Sequence, residues 1–271
     1  MSSTYTFTPY KRQKHPHYEH RTIKLDRKDN QFSSKKFHHI RKVSTHKKIL
    51  KSFGRIGMCL NEKAITCIPK EDLEKVCFVI VNDFDKDLDV GPLNDGYLVS
   101  LKHYRQAFKV FYLYNSRFKE FEDYLCYFLK NTTTGLTVYY SGRNVYGEGI
   151  KFIDGITTKK TVGDIISNYS NQKCRVIFIS DTIGGGSVFD ITGGKNVMSY
   201  SVNKENPGES KKNKRSHGIF TYYFCKITSE NTNVSPNELV QQINNLLSRF
   251  NEVIVCEMTD KKMNFEPIYS H

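Results

Sequence analysis

Short, almost uninterrupted apolar runs, alternating with stretches of helical spacing, limit this chain to few architectures. Residues 76–81 read Val-Cys-Phe-Val-Ile-Val, too short for a helix buried on every side and rich in the β-branched and aromatic residues that favour a strand. Residues 93–108 then carry Leu98, Leu101 and Phe108 at helical spacing. A strand over 110–114, a helix over 118–129, a strand over 136–140, a short helix over 162–169 and a strand over 175–180 follow in the same alternation. Strands that lack a polar face and are separated by helices predict an α/β fold: a mostly parallel sheet with helices on both faces, in three layers. In such sheets ligands and catalytic groups gather at the carboxyl ends of the strands, here after Tyr140 and Ser180.

The rest of the chain extends the pattern. A strand over 196–202 leads into a charged loop over 203–216 with Lys211, Lys212, Lys214 and Arg215, which reads as a solvated surface loop. A helix over 237–250 has Ser235 at its cap and Pro236 at its first position, and a strand over 252–256 follows. Seven cysteines, odd in number and without a Cys-x-x-Cys pair, sit mostly in apolar runs; reduced thiols are expected, with no disulfide framework, metal or cofactor. Gly184-Gly185-Gly186-Ser187 lacks the lysine of a phosphate loop, and no dinucleotide fingerprint follows the first strand. No run of about 18 apolar residues occurs, and the first thirty residues hold no apolar segment of the kind a secretory signal needs. No membrane association and a cytoplasmic location are therefore expected.

Charge divides the chain in two. Fourteen of the 41 Lys and Arg residues fall within the first 51 positions, against three of the 28 Asp and Glu, so most of the net charge of +13 belongs to residues 1–51. This segment has neither strand nor helix periodicity and reads as an extended basic tail, with the folded domain spanning 52–271. Tyr5, Phe7 and Tyr10 stand among Lys11, Arg12, Lys14, Arg21, Lys24, Arg27, Lys28, Lys35, Lys36, Arg41, Lys42, Lys47 and Lys48. Such a segment lies along an acidic surface by charge while rings anchor it in grooves. Lysine outnumbers arginine and no Gly-Arg repeat occurs, which favours an acidic protein lattice such as tubulin over RNA.

The strand ends carry the chemistry-bearing motifs. One reads Tyr139-Tyr140-Ser141-Gly142-Arg143-Asn144, the other Asp181-Thr182-Ile183-Gly184-Gly185-Gly186-Ser187. They resemble the caspase and metacaspase family, whose catalytic His ends a Tyr-Ser-Gly-His-Gly stretch and whose nucleophilic Cys follows Asp-x at the end of the next core strand. Pro92-Leu93-Asn94-Asp95-Gly96 is similar to the stretch that opens that family's first helix. Gly218-Ile219-Phe220-Thr221 is similar to its Gly-x-Phe-Thr segment, preceded by Val197–Ser201 in the place of its groove strand. The resemblance covers about 77–256 and implies a caspase-like fold.

The departures from the family pattern bear on activity. A Cys–His peptidase needs an imidazole to take the thiol proton and a thiolate to attack. The matching positions hold Arg143, which keeps its proton at physiological pH, and Ile183, which has no nucleophile. Thr182 and Ser187 offer hydroxyls without an adjacent base, and Cys174 opens its strand rather than closing it. Asp181 matches the acidic residue that, in metacaspases, helps receive a Lys or Arg side chain. The resemblance thus leaves a residual pocket around Asp181, Ser141 and Gly142, with Arg143 as a candidate internal partner for Asp181. After the His position only Glu148 is acidic, so a second carboxylate is not apparent there.

These readings lead to an expected non-enzyme: a caspase-like pseudopeptidase with a scaffolding role, tethered by its tail to a large acidic assembly. Microtubules of a cilium or flagellum come first, with no small-molecule substrate. Binding to RNA or a ribonucleoprotein, and regulation of a caspase-like peptidase or capture of basic peptides through the residual groove, are the alternatives.

Overall fold

The computed structural model describes residues 46–83, 90–145, 149–183, 186–204, 218–248 and 252–269. Its centre is a nine-stranded sheet. The strands are β1 (Gly57–Cys59), β2 (Lys75–Val81), β3 (Lys109–Tyr114), β4 (Gly135–Val145), β5 (Gly149–Phe152), β6 (Gly155–Thr157), β7 (Arg175–Ile183), β8 (Val197–Lys204) and β9 (Glu252–Met258). The main path runs β1-β3-β2-β4-β7-β8-β9, with β5 and β6 forming an arm off β4. Neighbours from β1 to β8 along this path pair in parallel, whereas β9 closes the sheet antiparallel to β8.

Alternation along β2 shows why its run has no polar face. Cys77, Val79 and Val81 enter one apolar cluster, and Val76, Phe78 and Ile80 enter the other. The first cluster is covered by α1 (His46–Phe53), α2 (Gly91–Arg105), α5 (Ile219–Glu230) and α6 (Pro236–Leu247). The second is covered by α3 (Phe118–Asn131) and α4 (Lys159–Tyr169). Each strand residue is therefore buried whichever way it points, the expected condition of a parallel sheet between two helical layers. Aromatic packing closes the second layer, with Phe78 5.1 Å from Phe128 and Phe121 5.1 Å from Phe152.

Helix ends follow local chemistry. Ser235 and Glu238 form a reciprocal cap on α6: the Ser235 hydroxyl accepts from Glu238 N, and the Glu238 carboxylate accepts from Ser235 N. The helix expected over 93–108 stops at Arg105, because Ala107 takes a left-handed φ of 64° and turns the chain so that Phe108 N reaches His103 O. The motif Gly218-Ile219-Phe220-Thr221 supplies the N-cap and first turn of α5.

The N-terminal boundary shifts. Residues 46–51, expected within the tail, belong to α1, whose Ile49 and Phe53 are buried in the first cluster. Phe53 stacks on Tyr112 with centroids 4.1 Å apart. Eight residues suffice because the helix is held by packing rather than by propensity. Of the tail residues named above, Lys47 and Lys48 stand exposed on α1. Tyr5, Phe7, Tyr10 and the basic residues from Lys11 to Lys42 lie outside the described residues, as do the lysine-rich segment 205–217 and Glu148. Among the described residues no helix is long and apolar enough to cross a membrane.

Candidate functional site

The carboxyl ends of β4 and β7 lie side by side, with Ser141 opposite Asp181, Gly142 opposite Thr182 and Arg143 opposite Ile183. Both strands run on past the predicted ends at Tyr140 and Ser180, which brings the two motifs into register instead of leaving them in separate loops. Parallel pairing places paired residues on one face of the sheet.

Asp181 is the centre of a hydrogen-bonded junction. Its Oδ2 accepts from Thr221 N at 3.1 Å and from Thr221 Oγ1 at 2.7 Å. Thr221 Oγ1 lies 2.8 Å from the buried Tyr139 hydroxyl. A second carboxylate joins it: both oxygens of Asp95, from the first turns of α2, accept from Gly218 N at 2.8 and 2.9 Å. Gly218 is the N-cap of α5 and has no side chain to satisfy the free N–H groups there. Asp95 and Asp181 take that role from other elements, accepting the N–H groups that the cap leaves free. A Cβ on residue 218 would run into the Asp181 carboxylate, so only glycine allows the approach.

Burial sets the protonation of this junction. It pushes the Asp95 carboxyl well above the usual carboxylate range, the Asp181 charge adds to the rise, and the Gly218 N–H opposes it. The buried Tyr139 hydroxyl is likewise pushed up, first by desolvation and then by both carboxylates.

The other candidate residues do not assemble into reacting groups. Asp181 makes no ion pair with Arg143 among the described residues; the helix N-terminus is its partner instead. Ser141, Gly142 and Thr182 are buried, and among the described residues the Thr182 hydroxyl has no hydrogen-bond partner. Ser187 closes a turn by donating to Phe189 O and accepting from Phe189 N. Burial pushes the Cys174 thiol up to about 12, far from a thiolate at neutral pH. Among the described residues two imidazoles occur. His103 is buried, with Nδ1 donating to Val99 O at 2.8 Å and Nε2 accepting from the Tyr269 hydroxyl at 3.1 Å. Burial holds it neutral, well below the ordinary histidine range. The half-buried His46 meets Asp83 Oδ2 with its Nε2 at 2.8 Å, and Asp83 is held in turn by the Asn115 side chain at 2.9 Å.

Sequence reasoning missed Asp95, Gly218 and Thr221 as members of the Asp181 group. The signal for them was present in the stretches 92–96 and 218–221, which were matched for fold and not for contact. No spacing pointed to His46 and Asp83, which are 37 residues apart. Among the described residues no group of three or more His, Cys, Asp or Glu is placed to hold a metal ion.

Asp181→Ala is expected to lower stability by about 1–2 kcal/mol through loss of the α5 cap, with Asp181→Asn retaining part of it. Urea denaturation measures the difference. Equal midpoints for wild type and Asp181→Ala would mean that the start of α5 is held by other contacts.

The fold and this junction define an α/β protein with a mostly parallel sheet flanked by helices and with two carboxylates turned onto a helix N-terminus. Compared with known families and with characterised proteins, the chain matches no family model and no curated protein.

Proposed function

We propose that this chain is a caspase-like pseudopeptidase, a domain that has lost its chemistry and serves as a structural head carried by a basic N-terminal segment. The observation that supports this reading most is the register of Arg143 against Ile183 at adjacent strand ends. These are the positions that the family resemblance assigns to base and nucleophile, and a reacting pair would need that adjacency. An arginine and an isoleucine there can neither accept the proton nor attack a carbonyl.

The acidic pair favours scaffolding over peptide capture. A pocket for a basic side chain needs carboxylates free to receive it, whereas Asp95 and Asp181 already accept from Gly218 and Thr221. Peptide binding through the groove would require the start of α5 to withdraw.

The partner we propose is an acidic polymer met by residues 1–45, microtubules of a cilium or flagellum before RNA. The experiment is co-sedimentation of the full chain with microtubules and, separately, with RNA over a salt series. It is compared with a full-length variant in which Lys11, Arg12, Lys14, Lys35 and Lys36 are glutamine. Wild type is expected to pellet with microtubules, and the variant to remain in solution. Retention by RNA alone, with a steep salt dependence, transfers the proposal to a ribonucleoprotein. Hydrolysis of a Lys- or Arg-containing peptide that disappears in Thr182→Ala would overturn the pseudopeptidase reading.

A further inference from the structure

β9 ends the main path of the sheet, and among the described residues no strand pairs with its outer side. Its pairing with β8 fixes which backbone groups face outward. In an antiparallel ladder, residues whose N–H and C=O both turn to the partner alternate with residues whose groups both turn away. Thr259 N donates to Val197 O, so the odd-numbered residues Val253, Val255 and Glu257 turn to β8, and Glu252, Ile254, Cys256 and Met258 present theirs to the outer side. Ile254 bears this out. Asn244 of α6 spans both of its groups, with Ile254 N donating to Asn244 Oδ1 at 2.7 Å and Asn244 Nδ2 donating to Ile254 O at 3.3 Å. One side-chain amide thus stands where a residue of a further strand would.

The other end of the sheet is closed by the same device. β1 is three residues long, and past its end Asn61 spans the groups of Tyr114 on β3, accepting from Tyr114 N at 2.9 Å and donating to Tyr114 O at 3.0 Å. Short edges and covered backbone groups are how sheets avoid pairing with other chains. β9 is the weaker edge, because it has seven residues and a β-branched run Val253-Ile254-Val255. Ile254 packs into the first cluster, so Val253 and Val255 lie on the opposite face, 39 % and 36 % exposed. The strand is also complementary to itself. A two-fold axis through Val255 pairs all seven residues with those of a second copy, and Ile254 then exchanges hydrogen bonds with the partner's Cys256. Val255 meets the partner's Val255 in a non-hydrogen-bonded pair with Cα atoms about 4.5 Å apart. Glu257 falls opposite the partner's Val253 and Glu252 opposite the partner's Met258, so no like charges face each other.

We propose that β9 is a pairing surface for a second copy of this chain, held shut by the Asn244 amide. To pair, each copy must exchange the two Asn244 bonds at Ile254 for those of the partner's Cys256. Nothing is gained at that pair, and the copies stay apart. Without the amide, the same pairing satisfies two backbone groups that otherwise lack a protein partner. The surface lies at the edge of the sheet and stands independently of the peptidase resemblance and of the basic segment.

The test is sedimentation velocity of the full chain over about a hundredfold range of concentration, with circular dichroism to show that each variant keeps the fold. Wild type is expected to stay monomeric. Asn244→Ala is expected to dimerise at least about tenfold more tightly than wild type, as is Asn244→Ser, whose hydroxyl cannot span both Ile254 groups. Adding Val255→Lys to Asn244→Ala is expected to restore the monomer, since it sets two ammonium groups opposite each other. Hydrogen exchange reads the edge itself: the Cys256 amide is expected to exchange fast in wild type and slowly in the Asn244→Ala dimer. Folded Asn244 variants that stay monomeric, wild type that dimerises as tightly as they do, or a dimer that survives Val255→Lys would each overturn the proposal. So would a slow Cys256 amide in monomeric wild type, which would mean that another segment of the same chain covers the edge.

Discussion

Lys102→Met is expected to stabilise the protein by about 2 kcal/mol at pH 7. Lys102 is 1 % exposed in the last turn of α2, and its Nζ has no hydrogen-bond partner. It rests 3.3 Å from the centroid of Tyr269 and 5.9 Å from that of Phe224. Burial lowers its pKa from 10.5 to about 7, and the nearby Cys225 and Cys77 oppose that only weakly. Both of those thiols are themselves pushed up by burial and carry no charge at neutral pH. A shift of this size makes the folded state less stable at pH 7 by about 4 kcal/mol than it is with the amine neutral in both states. Losing a desolvated cation–π contact of about 2 kcal/mol offsets half of the gain, and methionine fills nearly the same volume.

The sign of the pH dependence follows from the same numbers. The folded pKa lies below the unfolded one, so between pH 7 and 10.5 the folded state binds fewer protons than the unfolded state. Wild-type stability therefore gains from Lys102 as pH rises through that window, and the contribution is smallest below pH 7. The variant loses this rise. Urea denaturation at pH 6, 7, 8 and 9 measures it. A variant weaker than wild type at every pH would mean that the ammonium is held by the aromatic rings at net advantage.

Phe53→Ala is expected to cost about 3–5 kcal/mol. Phe53 is wholly buried, stacked on Tyr112 with planes inclined by 14° and set edge-on to Tyr97 with centroids 6.1 Å apart. Its removal takes away the ring pairs as well as the buried area, and leaves α1 anchored chiefly by Ile49 and the His46–Asp83 contact. The loss appears in the denaturation midpoint and, by hydrogen exchange, as early opening of residues 46–53. A cost below about 0.5 kcal/mol, typical of a solvated segment, would return this helix to the tail.

Local patterns were legible in the chain. The strands from 76–81 to 175–180 and the helices between them lie close to their predicted positions, because each must bury both faces or one stripe, and that demand is written in residue spacing. The Ser235 cap is local in the same sense. α1 was not legible: its basic composition resembles the segment before it, and what orders it is Tyr112 and Tyr97, far along the chain. Nor was the antiparallel direction of β9, since an apolar strand reads the same either way.

The Asp181 junction marks the limit most clearly. Sequence alone determined that polar, glycine-containing motifs stand at the carboxyl ends of β4 and β7 and that Arg143 and Ile183 are unfit for acid–base or nucleophilic work. Only the tertiary structure decided what Asp181 does: it brings Asp95 to Gly218 across 123 residues and Asp181 to Thr221 across 40, so that two carboxylates serve a helix that lacks its own cap. It likewise decided that the Asn244 amide meets both backbone groups of Ile254. Periodicity is a property of neighbours along the chain, whereas the meeting of an N–H with a carboxylate, or of a side-chain amide with a strand edge, depends on strand order and register, which no local spacing encodes.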